Sequence, residues 1–357
     1  MWGLFFDTHI GERRKTVLTH TDSRENLRAG TRAAAVFLAG LFLVAAFLTG
    51  CSGDSGGSVG QAAAKKEETA KLLRIGYQKG DPLNIVKERG TLEKRLKELG
   101  YDVTWNVFPA GPPLLEALSS GNLDVGRTGD SPPVFAQAAG SSLVYVAAGK
   151  AKSAGSAILV KNDSSIRTLA DLKGKNIGLA KGSSAHYLLV KALEKANLQY
   201  GDVTLSFLSP ADARIAFEQG KIDAWVVWDP YYADIENAGG VRVLVNGEGL
   251  AEDRDFYLAS QRFAEEHYDI VQVLLEEVEH ASAWANEHPK EVAQLLAPLL
   301  KIDVAALEKA AERREYGLQP IDDAIVKGQQ EIADTFYALK LIPQNISVQE
   351  AIYRPSR

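Results

Sequence analysis

The stretch Ile75-Gly76-Tyr77-Gln78-Lys79-Gly80 returns further along the chain as Ile177-Gly178-Leu179-Ala180-Lys181-Gly182. Further matches follow in the same order and at nearly the same spacing: Val103-Thr104 with Val203-Thr204, and Asp130-Ser131-Pro132 with Asp229-Pro230. One such match is within the reach of chance, but several at a nearly constant offset indicate that one unit is used twice.

The repeated unit predicts a duplicated α/β fold. Each copy alternates short apolar runs with amphipathic segments, in the order strand, helix, strand, helix, strand, helix start, which is typical of a parallel sheet. Two such units that face each other leave a cleft, and ligands of parallel α/β units bind beyond the carboxyl ends of the strands.

The bulk composition favours a soluble body and argues against nucleic acid as a partner. The 357 residues carry a net charge of -6, and 46% of them are hydrophobic. Residues 1–51 hold six Lys or Arg against four Asp or Glu, so the remainder carries -8. An acidic body repels phosphate backbones, and an anionic ligand would have to be held by local geometry.

The N-terminal region predicts export and a lipid anchor. Ala33 to Leu48 is an uninterrupted run of apolar and small residues, shorter than the roughly 20 residues that a membrane span needs. It fits the core of a signal peptide and ends in Leu48-Thr49-Gly50-Cys51, which resembles a bacterial lipobox. We expect residues 1–50 to be a signal peptide, Cys51 to carry lipid, and residues 51–71 to be a flexible tether. A plain transmembrane anchor is the alternative.

The body is expected to form two lobes. We assign residues 72–158 and 256–357 to the first lobe and residues 159–255 to the second. The apolar runs Ser156–Val160 and Phe256–Ala259 are interpreted as the two strands that cross between the lobes. Beyond Ser260 the chain is predicted to be helical and to pack on the first lobe.

Helix starts at the carboxyl ends of the strands are the candidate binding elements. Such ends present free N–H groups and a partial positive charge, which suits an anion. Hydroxyl groups add donors, and Trp228 offers an apolar wall. The candidate ligand-binding residues are Gln78, Gly111, Pro112, Thr128, Gly129, Asp130, Ser183, Ser184, His186, Trp228 and Asp229.

Each candidate also has a purely structural interpretation. Ser183 and Ser184 are equally suited to capping a helix, and the aromatic residues to packing in the core. Asp130 and Asp229 would repel an anion, so they are expected to brace loops unless the ligand carries an amino group. Lys79 and Lys181 are placed at the cleft rim.

Enzymatic chemistry has little support in the sequence. Ser183, Ser184 and His186 lie close together, but a nucleophile and its base also need an orienting third group. The six histidines lack metal-ligand spacing, and no phosphate-binding glycine loop is present. We therefore predict no catalytic residue, no metal and no cofactor.

The joint pattern resembles the aliphatic sulfonate-binding proteins of bacterial ABC importers. The motifs that carry the resemblance are Gly76 to Gly80, Phe108 to Pro112, Thr128 to Gly140, Lys181 to His186 and Asp223 to Tyr231. The resemblance covers roughly Leu72 to the C-terminus and implies a type II periplasmic binding protein fold. It also implies an alkanesulfonate ligand, closure of two lobes, and delivery to a permease with an ATPase subunit. We expect a monomer at the outer face of the cytoplasmic membrane. Arg127 and Ser131 depart from the family pattern.

Three rival functions stay open at this point. Taurine, nitrate or a thiamine-precursor pyrimidine would keep the transport role and change the ligand. Desulfinases share the fold, but they use a catalytic cysteine, and the only cysteine here is Cys51. A structural lipoprotein would bind no small ligand at all.

Overall fold

Eleven strands and twelve helices make up residues 70–355, the part of the chain that the computed structural model describes. The strands are β1 (Lys71–Gln78), β2 (Tyr101–Phe108), β3 (Val125–Thr128), β4 (Leu143–Gly149), β5 (Ser156–Lys161), β6 (Asn176–Leu179), β7 (Thr204–Phe207), β8 (Ala224–Trp228), β9 (Val241–Asn246), β10 (Phe256–Ser260) and β11 (Leu318–Gln319). The predicted signal peptide, Cys51 and most of the tether lie outside the described residues.

The helices follow the strands in alternation and then dominate the C-terminal third. They are α1 (Pro82–Arg89), α2 (Thr91–Glu98), α3 (Gly111–Ser119), α4 (Ser131–Ala138), α5 (Ser184–Lys195), α6 (Pro210–Glu218), α7 (Tyr231–Ala238), α8 (Gln261–Glu266), α9 (Tyr268–Glu287), α10 (Pro289–Leu300), α11 (Val304–Glu312) and α12 (Asp323–Ala338). Within residues 70–355, no helix combines the length and the apolarity needed to cross a bilayer.

Two sheets define the two lobes, and they share one strand arrangement. The first sheet has the order β11-β4-β10-β3-β1-β2, and the second has the order β7-β6-β8-β5-β9. In each, three parallel strands come from one copy of the repeat: β1 lies between β2 and β3, and β6 lies between β7 and β8. An antiparallel strand then continues the sheet, β10 beside β3 and β5 beside β8. The α/β prediction is confirmed.

The repeated glycines occupy equivalent close contacts in the two sheets. A side chain at Gly76 would lie 2.6 Å from Leu123 Cδ1, and a side chain at Gly178 would collide with Ile222. Leu123 and Ile222 are themselves equivalent in the repeat, each two residues before the buried start of β3 or β8. Glycine therefore lets the residue that precedes the third strand pack directly on the first strand.

The connections between the sheets differ from the sequence-based assignment. Ser156–Val160 lies wholly within the second sheet, and Phe256–Ala259 lies wholly within the first. The chain crosses in the segments just before them, residues 150–155 and 247–255. Sequence hydrophobicity marks the buried strands, whereas the crossing segments are mixed in polarity.

The C-terminal helices contact both lobes rather than the first alone. Helix α9 packs on α1 and α2, but α11 packs on α7 of the second lobe. The Arg313 guanidinium stacks 3.8 Å from the centre of the Tyr232 ring and makes an ion pair with Asp229. The C-terminal region therefore reaches the cleft, which its sequence did not indicate.

Candidate ligand-binding cleft

Two adjoining cavities lie where the carboxyl ends of the two parallel strand sets face each other. We call them the serine cavity, of about 20 Å³, and the arginine cavity, of about 30 Å³. Both are lined by Gln78, Arg127, Lys152 and Trp228. The serine cavity adds Gly111, Gly129, Pro132, Ser183, Ser184 and Asp253. The arginine cavity adds Lys79, Gly80, Asp81, Gly155, Asp229, Ala310 and Arg314.

The start of helix α5 faces the serine cavity with its first turn uncapped. Ser183 occupies the N-cap position, but its side chain accepts no hydrogen bond from the helix. Its hydroxyl instead donates to the carbonyl of Ala180 at 2.7 Å. The N–H of His186 donates to the carbonyl of Ser183 at 2.9 Å, so the N–H groups of Ser184 and Ala185 are left for another acceptor, and an anion is a favourable one.

The first lobe contributes two glycines to the serine cavity, and one of them, Gly129, approaches this helix end. Any side chain at Gly129 would collide with the hydroxyl of Ser184. A side chain at Gly111 would lie 2.5 Å from Pro132 Cγ. Small residues at both places let backbone line the cavity opposite the serines.

Four of the sequence-predicted residues do not line either cavity. Thr128 is fully buried and donates its hydroxyl to the carbonyl of Gly129 at 2.9 Å. The Asp130 carboxylate accepts from the hydroxyl of Ser131 at 3.0 Å. Pro112 lines a separate surface groove on the first lobe. The fourth, His186, contacts the backbone of the loop that carries Ser183.

His186 is buried in an aromatic cluster and bonded at both ring nitrogens. Its Nδ1 accepts the N–H of Gly182 at 3.2 Å, and its Nε2 lies 2.7 Å from the hydroxyl of Tyr200. Phe336 lies 5.4 Å from the ring. Burial lowers the pKa of His186 to about 4, helped by the charge of Lys181. The ring is therefore neutral at physiological pH and braces the loop that carries Ser183.

The two carboxylate oxygens of Asp229, which lines the arginine cavity, have different environments. Oδ1 accepts the N–H of Ala233 at 2.9 Å and pairs with Arg313 at 3.3 Å. Oδ2 is buried and has no hydrogen-bond partner among residues 70–355. Burial raises the pKa of Asp229 to about 6, against the opposing charge of Arg313.

A buried ion network that the sequence analysis missed forms the floor of the cleft. Arg127 makes an ion pair with Asp255, and Arg314 reaches the same carboxylate at 2.6 Å. Lys152 pairs with Asp253 at 2.6 Å and lies 3.5 Å from Asp255. Because Lys152, Asp253 and Asp255 come from the two crossing segments, the network ties the segments together beneath the ligand site.

The lining of the arginine cavity is rich in cations even though the chain is acidic. It holds Lys79, Arg127, Lys152 and Arg314 beside the carboxylates Asp81 and Asp229, and three of these cations already pair with Asp253 or Asp255. Burial lowers the pKa of Lys152 to about 8 and also lowers the pKa of Arg127. Both cations are poorly solvated, so a nearby negative charge would stabilise them.

One sequence signal for this network existed. Arg127 stands inside β3, whose four residues are all buried, and an arginine there requires a partner in the interior. Its partners are Asp255, which directly precedes β10, and Asp81, 3.9 Å away at the start of α1, and both are distant from it in sequence. Within residues 70–355, no group of His, Cys, Asp and Glu side chains is arranged to hold a metal ion.

Comparison with known proteins places the chain in a family. A family profile described as NMT1/THI5 like matches residues 97–292. A protein of Escherichia coli K12, provisionally named an aliphatic sulfonates-binding protein, is 40% identical over 302 residues, which cover 84% of this chain and 94% of the relative. The taurine-binding periplasmic protein of the same organism is 30% identical over 56% of this chain and 62% of its own length.

Solved structures agree with this placement. The alkanesulfonate-binding protein of Xanthomonas axonopodis pv. citri bound to MOPS superposes with a TM-score of 0.77 at 41% identity, covering 79% of this chain and 98% of that one. A desulfurization enzyme shares the fold at a TM-score of 0.58 but only 15% identity, over 80% of this chain and 97% of its own. The chain belongs to the NMT1/THI5-like family and, within it, to the aliphatic sulfonate-binding proteins.

Proposed function

We propose that the chain is a binding protein that captures aliphatic sulfonates outside the cytoplasmic membrane and delivers them to an ABC permease. The observation that carries the proposal is the uncapped start of α5, which faces a cavity lined by Arg127 and Lys152. A sulfonate offers three oxygens with one shared charge, which suits helix N–H groups, serine hydroxyls and nearby cations.

In this proposal the sulfonate sits in the serine cavity. Ser183, Ser184 and the N–H groups of α5 donate from the second lobe, and the Gly111 and Gly129 backbones with Gln78 close the site from the first. Trp228 contacts the carbon chain. Because donors come from both lobes, ligand binding stabilises the closed arrangement, and a permease then distinguishes closed from open protein.

Calorimetry on the full-length chain in a non-ionic detergent tests the ligand class. Ethanesulfonate, octanesulfonate, taurine, sulfate, nitrate and a hydroxymethylpyrimidine are titrated in turn. We expect micromolar binding of alkanesulfonates, about -8 kcal/mol, and much weaker binding of sulfate and nitrate. Ser184→Ala should weaken binding, while the exposed Ser120→Ala should not. Binding of only nitrate or the pyrimidine would keep the transport role and replace the ligand, whereas no binding would refute the proposal.

Taurine is a second candidate because of Asp229. Its Oδ2 is buried beside the arginine cavity without a partner among residues 70–355, and an ammonium group is a suitable donor to it. If taurine is the ligand, Asp229→Asn will weaken taurine more than ethanesulfonate. Equal effects on the two would remove this candidate.

The lipid anchor is the part of the proposal that rests on sequence alone. We propose that Cys51 carries lipid and that residues 51–71 tether the body to the outer face of the membrane. A palmitate analogue fed to expressing cells should label the protein, and Cys51→Ala should abolish both the label and membrane association. Because Cys51 is the only cysteine, label that persists in this variant would refute thiol-linked acylation.

A further inference from the structure

Three polar atoms around the arginine cavity lack partners. The Nε–H groups of Arg127 and Arg314 and the Oδ2 atom of Asp229 are buried, and none has a hydrogen-bond partner among residues 70–355. All three residues line the same cavity. Arg127 is only 6% exposed, so its vacant donor cannot turn to bulk water. Buried donors and acceptors without partners are costly, and two donors beside one acceptor call for a group of both characters.

The arginine cavity adjoins the proposed sulfonate position. Gln78, Arg127, Lys152 and Trp228 line both cavities, so a carbon chain that runs from α5 into the arginine cavity passes these shared residues. The far end of that chain then meets charged groups and Trp228. A long alkyl tail would bury against guanidinium and carboxylate groups and leave them unsatisfied.

We propose that the preferred ligand is a sulfonate whose far carbon carries both a carboxylate and an ammonium group, an α-amino sulfonic acid of the cysteate type. This inference rests on the proposed sulfonate-binding function and names its substrate class. The sulfonate binds at α5, the carboxylate accepts from Arg127 and Arg314, and the ammonium donates to Asp229.

The lining charges fit this ligand better than taurine or a simple dianion. An ammonium without a carboxylate would face Lys79, Arg127, Lys152 and Arg314 with only one vacant acceptor. A carboxylate without an ammonium would leave the Oδ2 of Asp229 unpaired beside a second negative group. The α-amino acid end places the two charges on one carbon, beside their respective partners.

Calorimetry on the full-length chain in non-ionic detergent tests the inference with four ligands, which differ in whether they carry the carboxylate, the ammonium, both groups or neither. L-cysteate carries both groups, 3-sulfopropanoate lacks the ammonium, taurine lacks the carboxylate, and ethanesulfonate lacks both. We expect cysteate to bind about tenfold or more tightly than either single-group ligand, since a charge-assisted hydrogen bond contributes at least that factor. Ethanesulfonate should bind weakest of the four.

Two variants assign the groups. Arg314→Gln should weaken cysteate and 3-sulfopropanoate by about tenfold more than it weakens taurine and ethanesulfonate. Asp229→Asn should weaken cysteate and taurine by a similar excess over the ligands without an ammonium. Arg254→Gln and Asp234→Asn are matched controls, because each removes a similar paired charge that lines neither cavity. Thermal melts confirm that each variant is folded.

The outcomes separate this inference from the proposed function. Taurine or ethanesulfonate binding as tightly as cysteate, with uniform effects of both variants, would overturn the inference and leave sulfonate capture intact. If none of the four ligands binds, the proposed function fails and the inference fails with it.

Discussion

The loops that follow β1 and β6 share a backbone course and differ in the residue that begins the next helix. Each passes through a glycine with positive φ, 74° at Gly80 and 70° at Gly182. In the first lobe, Asp81 then accepts the N–H of Asn84 at 2.9 Å and the N–H of Gln78 at 2.8 Å. In the second lobe, Ser183 turns its hydroxyl away from α5.

The two copies of this loop have different tasks. Asp81 supplies a permanent internal carboxylate, so the start of α1 has no vacancy for an external anion. Ser183 leaves the equivalent vacancy open at α5. One loop therefore stabilises the fold, and in our proposal the other holds the exchangeable charge of the ligand.

The largest expected effect comes from giving the second loop the carboxylate of the first. Ser183→Asp should reduce alkanesulfonate affinity by about 100-fold, or ~2.7 kcal/mol, because the new carboxylate takes the donors and repels the ligand. Calorimetry measures the loss, and Ser260→Asp at the start of α8 is the control for a carboxylate at a helix start. Unchanged affinity in Ser183→Asp would mean that α5 does not hold the sulfonate.

The converse change removes the internal carboxylate of the first loop. Asp81→Ala should lower the free energy of unfolding by about 2 kcal/mol, because two buried N–H groups and Arg127 lose a partner. Asp303→Ala, which removes the exposed cap of α11, should cost about half as much. Urea unfolding of both variants gives the comparison. Equal losses would show that burial adds nothing to the cap at Asp81.

The pH dependence of sulfonate affinity separates the contribution of the α5 start from that of Lys152. Burial lowers the pKa of Lys152 to about 8, and an anion binds its protonated form more tightly. Sulfonate affinity should therefore fall as pH rises through 8, by up to about tenfold between pH 7 and 9. The start of α5 adds little slope there, because its titrating neighbours Asp130 and His186 titrate below pH 7. Burial raises the pKa of Asp130 to about 6 and lowers the pKa of His186 to about 4. Lys152→Met should abolish the slope; a slope that survives would assign it elsewhere.

The smallest effects are expected at the two lysines of the repeated motif. Lys79 and Lys181 are both exposed, and Lys181 lies over the ring of Phe207 at 5.6 Å. Solvent and salt screen such charges, so Lys79→Gln and Lys181→Gln should each change affinity by less than about threefold. A much larger loss from one of them would show that its lobe contributes a direct charge contact.

The repeat allowed the fold and half of the cleft to be predicted from sequence. Matching strands and helix starts identified the loops of Gln78, Gly129, Ser183 and Trp228, because local capping and turn chemistry repeat with the chain. Those residues lie around one pair of cavities.

The buried ion network at the floor of the cleft could not be predicted from the repeat. Lys152, Asp253 and Arg314 are far apart in sequence and lie outside the repeat. The segments that carry them have the polar composition of solvent-exposed loops. Only the packing of two crossing segments against β3 brings them together. His186 is the opposite case, since its position beside two serines predicts ligand contact, whereas in the structure its ring accepts a hydrogen bond from the backbone N–H of Gly182.

The position of β10 governs the order in which the chain can assemble during synthesis. β10 lies between β3 and β4 in the middle of the first sheet, yet it follows the whole second sheet in sequence. All five strands of the second sheet have left the ribosome before the first sheet receives its central strand. A nascent chain that ends before Phe256 therefore holds all five strands of the second sheet. In its first sheet, one edge of β3 and both edges of β4 are still unpaired, because β11 also follows later, and such open edges are prone to mispairing.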